Sequence, residues 1–184
     1  MAKIALVIGH RKGSKGAYGN MGISEFDFYT DFVKELLERL GNENIGHQYQ
    51  TFYRKDKVRG YTERMKDLHK RIDAWGADVS VSFHFNAAGK EYINGHEILY
   101  CSNSGHNLAV DLDELFDAYL DNRDRNILQR TKKDRGGGFL CRGRSTCILI
   151  EPFFAAHQDR FSRIGDQREP LKQALIDFFA TIEV

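Results

Sequence analysis

Short apolar runs alternate along this chain with stripes of apolar residues spaced three and four apart. The runs Ile4-Ala5-Leu6-Val7-Ile8, Val79-Ser80-Val81-Ser82-Phe83 and Cys147-Ile148-Leu149-Ile150 have the length and β-branched content of buried strands. Residues 45–53 alternate, with Tyr49, Thr51 and Tyr53 on one face, and His96 to Tyr100 reads as a further strand. Between them lie helical stripes. One runs through Tyr29, Phe32, Leu36 and Leu40. A second has Thr62 as its cap, Met65, Leu68, Ile72 and Trp75 as its buried face, and Gly76 as its stop. Two more follow at Leu108, Leu112, Leu115 and Tyr119, and at Leu171, Leu175 and Phe178. This alternation predicts an α/β fold: a single domain with a mostly parallel, mixed, twisted sheet flanked by helices on both faces. A chain of 184 residues fits one such domain over residues 1–184.

The strand ends carry the chemistry. The first run ends in Gly9-His10, the second in His84 and the third in Glu151. In an open α/β sheet the carboxyl ends of the strands form the rim where ligands bind. A fourth group, Glu25, follows Ser24, a good N-cap with Asp27 as the matching acid, so a helix is expected to start there. Glu25 precedes Tyr29 by one turn, on the apolar face, and a carboxylate there needs a partner. That partner is an Arg or Lys, the exposed first turn with its dipole, or a metal ion held together with the rim histidines. The glycine-rich stretch from His10 to Gly22 has neither the G-x-x-x-x-G-K-[ST] nor the G-x-G-x-x-G order, which argues against a nucleotide loop.

Composition narrows the classes further. Formal charge is +1, so no global field points to nucleic acid. Cys101, Cys141 and Cys147 are odd in number and contain no C-x-x-C pair, which is expected of reduced thiols. The first apolar run is too short for a signal peptide and no stretch reaches membrane-spanning length. Synthesis in the cytoplasm without membrane insertion is therefore expected. One segment stands apart: residues 121–144 carry Arg123, Arg125, Arg130, Lys132, Lys133, Arg135, Arg142 and Arg144 around three consecutive glycines. It reads as a flexible basic loop, able to hold an anionic polymer or simply solvated.

Four separated motifs then fall in register: Gly9-His10, the loop to Glu25, Ser82-Phe83-His84-Phe85-Asn86-Ala87, and Leu149-Ile150-Glu151-Pro152-Phe153-Phe154. Together they resemble the zinc-dependent N-acetylmuramoyl-L-alanine amidases, the catalytic domains of many autolysins and phage endolysins. The resemblance covers nearly the whole chain. It implies a Zn2+ ion on His10, Glu25 and His84, Glu151 as the catalytic carboxylate, and hydrolysis of the bond between N-acetylmuramic acid and L-alanine of peptidoglycan. A departure follows the last glutamate, where many members have a small residue and glycine and this chain has Pro152-Phe153. The lack of a wall-anchoring module looks more like an endolysin than a secreted autolysin, made in a host cytoplasm, acting on the wall and monomeric. Two alternatives stay open: a zinc carboxypeptidase or endopeptidase on wall peptides, and a non-catalytic module binding wall or nucleic acid through the basic loop.

Asn86, Arg142 and Arg144 are candidate substrate contacts, the arginines because they stand just before the strand that ends in Glu151. His96, after Gly95, is expected to line the cleft, though not as a ligand. His47, His69, His106 and His157 read as surface or capping residues. His96-Glu97 lacks a second histidine four residues after the first and is no H-E-x-x-H motif.

Overall fold

The computed structural model describes residues 1–18, 22–87, 93–155 and 161–183, and for 161–166 the backbone alone. Gly19, Asn20 and Met21 of the glycine-rich loop and His157 lie outside the described residues. The strands are β1 (Lys3–Ile8), β2 (Gln48–Phe52), β3 (Val79–Phe83), β4 (His96–Tyr100), β5 (Asp124–Gln129) and β6 (Thr146–Glu151). The helices are α1 (Glu25–Asn42), α2 (Tyr61–Trp75), α3 (Asn103–Tyr119), α4 (Gly137–Leu140) and α5 (Phe161–Thr181). All six strands form one sheet in the order β2-β1-β3-β6-β4-β5. β2, β1, β3 and β6 run parallel, while β4 pairs antiparallel with β6 and parallel with β5. The mixed α/β fold expected from the alternation is the fold observed.

Alternate side chains of each central strand enter two cores. On β1, Ile4, Leu6 and Ile8 meet α1, α3 and α5, while Ala5 and Val7 meet α2 and α4. Registry then decides what the rim holds. Ile8 pairs with Phe83 and Phe83 with Ile150, so β1, β3 and β6 end level with one another at the sheet centre. Neighbouring strands lie about 4.8 Å apart, so residues just beyond these ends meet within side-chain reach. Three rings hold that edge to α1: Phe28 lies 5.1 Å from Phe85, after β3, which lies 6.5 Å from Phe153, after β6. Each such pair adds about 0.5–1.5 kcal/mol to what burial already contributes.

Several expectations need correction. α2 begins at Tyr61 with Gly60 as its cap, not at Thr62, whereas Gly76 closes it in the left-handed conformation. The buried stripe of α3 is Ala109, Leu112 and Phe116, rotated from the expected one, and Tyr119 is exposed. The basic segment is not a loop throughout. It contains β5, an edge strand whose two apolar residues, Ile127 and Leu128, give too weak a pattern to be read, and it contains the single-turn α4. Cys101 and Cys141 form a disulfide with Cα atoms 5.5 Å apart, so only Cys147 is free, and it is buried. Forty residues separate the pair in sequence, and only the return of α4 over the sheet brings them together.

Candidate active site

His10 and His84 stand just beyond β1 and β3, Glu151 ends β6 beside them, and α1 brings Glu25 in from the side. The helix starts there because Ser24 caps it: its hydroxyl accepts the Asp27 N–H at 3.1 Å. Glu25 is 2% exposed, and among the described residues no Lys or Arg pairs with it. Its Oε1 accepts from the Phe85 N–H at 3.0 Å and lies 2.9 Å from His84 Nδ1. Its Oε2 accepts from the Ala17 N–H at 3.2 Å and lies 3.2 Å from His10 Nε2. The donor atoms of His10, Glu25 and His84 all fall within 4.8 Å of one another. The third of the partners left open for Glu25 is thus the one with geometric support.

The backbone around this cluster has little freedom. His10 adopts a φ of 67°, a left-handed conformation that a non-glycine residue holds only when its surroundings demand it. Arg54 Nε donates to the His10 carbonyl at 3.3 Å, and the Tyr29 hydroxyl donates to the His84 carbonyl at 2.8 Å. Gly16 closes over the group: a Cβ there would lie 2.5 Å from Glu25 Oε2 and 2.6 Å from the His10 ring. Its φ of +81° is itself a conformation that favours glycine.

Electrostatics separates the two glutamates. Burial alone would raise the Glu25 carboxyl, but hydrogen bonds from His10 and His84 outweigh it and hold the group far below the usual carboxylate range. Burial lowers His84, outweighing the pull of Glu25, so its ring is neutral and can donate a lone pair. For Glu151 burial dominates and pushes the carboxyl up to about 7, with Arg135 opposing and Glu97 and Glu25 reinforcing. The arrangement is a permanently anionic carboxylate between two imidazoles, with a second carboxyl beside it poised to exchange a proton near neutrality. All but Glu25 line one cleft of about 210 Å3, together with Arg54, Tyr61 and Arg135.

The substrate-contact expectations fare differently. Asn86 is buried and outside the cleft lining; its Oδ1 accepts the Ala87 N–H at 2.8 Å, and its backbone N–H donates to the Phe153 carbonyl. Arg142 and Arg144 lie at the opposite edge of the sheet, beside Lys66, His69 and Asp73, where the Arg144 N–H donates to Asp73 at 2.9 Å. Residues that precede a strand sit at its start, and the six residues of β6 carry the chain roughly 17 Å from there to Glu151. From the basic segment it is Arg135 that reaches the site: 63% exposed, its Nη2 donates to Glu151 Oε1 at 2.8 Å. Nothing in the sequence sets Arg135 apart from its basic neighbours. His96 does not line the cleft either: it is fully buried on the other face of the sheet, against Phe116. His69 is no surface residue but is buried against Phe139, and burial lowers its pKa to about 4. His47 ties the N-terminus to α5, accepting from the Ala2 N–H with its other ring nitrogen 3.0 Å from the Phe179 carbonyl.

The model of the N-acetylmuramoyl-L-alanine amidase family matches residues 4–177. The chain belongs to this family. Solved structures agree on the fold. The catalytic domain of the CD27L endolysin targeting Clostridia difficile is similar with a TM-score of 0.82 at 19% identity, covering 100% of this chain and 99% of that one. The catalytic domain of CwlV, an N-acetylmuramoyl-L-alanine amidase from Bacillus (Paenibacillus) polymyxa var. colistinus, gives 0.81 at 19% identity over 97% and 96%. An N-acetylmuramoyl-L-alanine amidase from Clostridium difficile 630 gives 0.78 at 21% identity over 96% and 94%. No curated protein matches the sequence. Among the described residues no helix is long and apolar enough to cross a membrane.

Proposed function

We propose that this protein is a zinc amidase that hydrolyses the bond between N-acetylmuramic acid and the L-alanine of the peptidoglycan stem peptide. Family membership supports the amidase activity and the substrate class. The observation that carries the zinc assignment is the buried Glu25 carboxylate, whose side-chain partners among the described residues are two imidazoles and no Lys or Arg. Two histidines and a carboxylate are the three-ligand set that catalytic zinc sites use, with one position left open. His10, Glu25 and His84 would hold the ion, which supplies Lewis acidity, making water a better acid and the amide carbonyl a better electrophile.

The chain's own residues divide the rest of the work. Glu151, ionised at the start of the cycle, takes a proton from the attacking water and then gives it to the departing amine, so that one water is consumed and acid and amine are released. A carboxyl with a pKa of about 7 is suited to both halves of that transfer. Arg135 holds Glu151 by one oxygen and leaves the other for the proton. Tyr29 and Arg54 fix the backbone of the two histidine positions from outside the reacting group. An endolysin role is the finer part of this reading, and the end-to-end likeness to an endolysin catalytic domain supports it.

Mass spectrometry of sacculi digested with and without added zinc tests the proposal. Whole stem peptides with a free L-alanine amino group, released only when zinc is present, are the expected products. Fragments cut inside the stem peptide would instead make the protein a wall peptidase with the same donor set.

A further inference from the structure

On the far face of the sheet from the cleft, another histidine meets three carboxylates. His96 opens β4, Asp113 and Asp117 lie one turn apart on α3, and Asp124 opens β5. The His96 ring is fully buried, and Nε2 lies 3.4 Å from Asp113 Oδ1, 3.6 Å from Asp117 Oδ1 and 3.8 Å from Asp124 Oδ1. None of these is short enough to satisfy the ring: Nε2 and Asp113 Oδ1 are both buried without a hydrogen-bond partner. Asp124 Oδ1 does accept the Asn126 N–H at 2.6 Å. Among the described residues no Lys or Arg pairs with any of the three acids.

The neighbouring amide fixes which ring nitrogen is free. Asn122 Nδ2 donates to the Pro152 carbonyl at 2.8 Å, so its Oδ1 faces His96 and can only accept. The His96 Nδ1, 2.7 Å away, must therefore carry the proton. In the neutral ring Nε2 is then a bare lone pair facing three anionic oxygens, which repel it and one another unless positive charge sits between. A proton on Nε2 is one candidate, but charge-assisted N–H···O bonds close to about 2.7–2.9 Å, and here the nearest oxygen stands at 3.4 Å. A larger cation fits better. Ligands about 2.0–2.1 Å from a tetrahedral zinc lie roughly 3.3 Å from one another, close to the separations from Nε2 observed here.

We propose that His96, Asp113 and Asp124, with Asp117 at the solvent side, form a second metal site for a first-row divalent ion such as zinc. Imidazole among the donors disfavours magnesium and calcium, which take oxygen ligands. Asn122, bonded to the ring nitrogen away from the metal, is the outer partner that orients a ligating histidine. The more exposed Asp117 and Asp124 give the ion a way in. The site is structural: it ties β4, α3 and β5 together, and through Asn122 and Pro152 it braces the turn that follows Glu151. It stands independently of the zinc proposed in the cleft.

Equilibrium dialysis against zinc, with metal analysis, tests it. The expected result is two equivalents for the parent, one for His10→Ala, one for the double variant Asp113→Asn/Asp124→Asn, and none when all three changes are combined. Zinc should also raise the melting temperature of His10→Ala and not that of the combined variant. Both aspartates are partly exposed, so their amides should fold, whereas replacing the fully buried His96 risks the core. Failure of His10→Ala to bind zinc, or two equivalents in the aspartate double variant, would overturn the proposal. If the cleft alone failed, the parent and His10→Ala would each bind one ion and the double variant none.

Discussion

The two ends of β6 each meet arginine, and they are opposite in chemistry. Before the strand, Arg142 and Arg144 stand among Lys66, His69 and Asp73, in an open groove between α2 and the chain leading into β6. At its carboxyl end Glu151 is buried; among the described residues a single arginine bonds its carboxylate, and the His10–Glu25–His84 cluster lies alongside. The parallel strands β1, β3 and β6 deliver their last residues to the same edge, so only the carboxyl end of β6 shares a rim with the histidines. Strand direction, not distance along the chain, decides which charges can take part in the reaction.

The largest effect expected from breaking this asymmetry is at Glu25. Glu25→Gln removes the only anion among the three donors and should lose the metal of the cleft, and with it nearly all activity. Retention of that equivalent would remove Glu25 from the donor set. At the strand end itself, Glu151→Gln should keep the metal but lower kcat by roughly 100-fold or more, the scale on which a general acid–base group acts. Metal loss in Glu151→Gln with metal retained in Glu25→Gln would mean that the two carboxylates have exchanged roles.

Much of this asymmetry was readable in advance, and the part that was not has a physical reason. His10, His84 and Glu151 each follow a strongly apolar run, and Glu25 follows an unambiguous cap, so periodicity and capping alone mark them. Their convergence depends on β1, β3 and β6 being neighbours, a matter of topology that local patterns do not encode. β5 leaves a weak pattern because an edge strand with solvated flanks needs few apolar residues. The Cys101–Cys141 bond and the Arg135–Glu151 contact both depend on α4 folding back over the sheet, and a four-residue helix in a glycine-rich stretch leaves no periodic signal. The burial of His96 and His69 is hidden from local pattern for a related reason: what packs above a lone histidine sets it.

Protonation offers a gentler probe of the same carboxyl. In the metal-free protein the folded Glu151 carboxyl titrates at about 7 and an ordinary one at 4.5. Between these values the folded state holds a proton that the unfolded chain has released. Stability from this group is therefore fully present below pH 4.5, falls as pH rises towards 7 and stays lost above it. Glu151→Gln should remove this dependence. In chelator-treated samples it should gain on the order of 3 kcal/mol relative to the parent between pH 4.5 and 8, visible as a converging or crossing pair of melting temperatures. Parallel curves for the two proteins would show that Glu151 is already ionised in the folded state near pH 5.

The smallest effects should separate the arginines. Arg135 favours the ionised form of Glu151, so Arg135→Ala should move the acid limb of the kcat/KM profile to higher pH and lower activity at neutral pH. Arg142→Ala and Arg144→Ala have no such contact. They stand roughly 17 Å of strand away, and exposed charges beyond the Debye length of about 8 Å are largely screened at physiological salt. On a small soluble muramyl peptide both should stay within about twofold of the parent, with an unshifted pH profile. On whole sacculi they can lose a modest, salt-sensitive share of activity, since a distant basic groove still attracts an anionic polymer. Steady-state kinetics on both substrates at two salt concentrations separates these effects. A loss at Arg142 or Arg144 on the soluble peptide equal to that at Arg135 would show that substrate reaches the amino end of β6, and the division between the two ends would no longer stand.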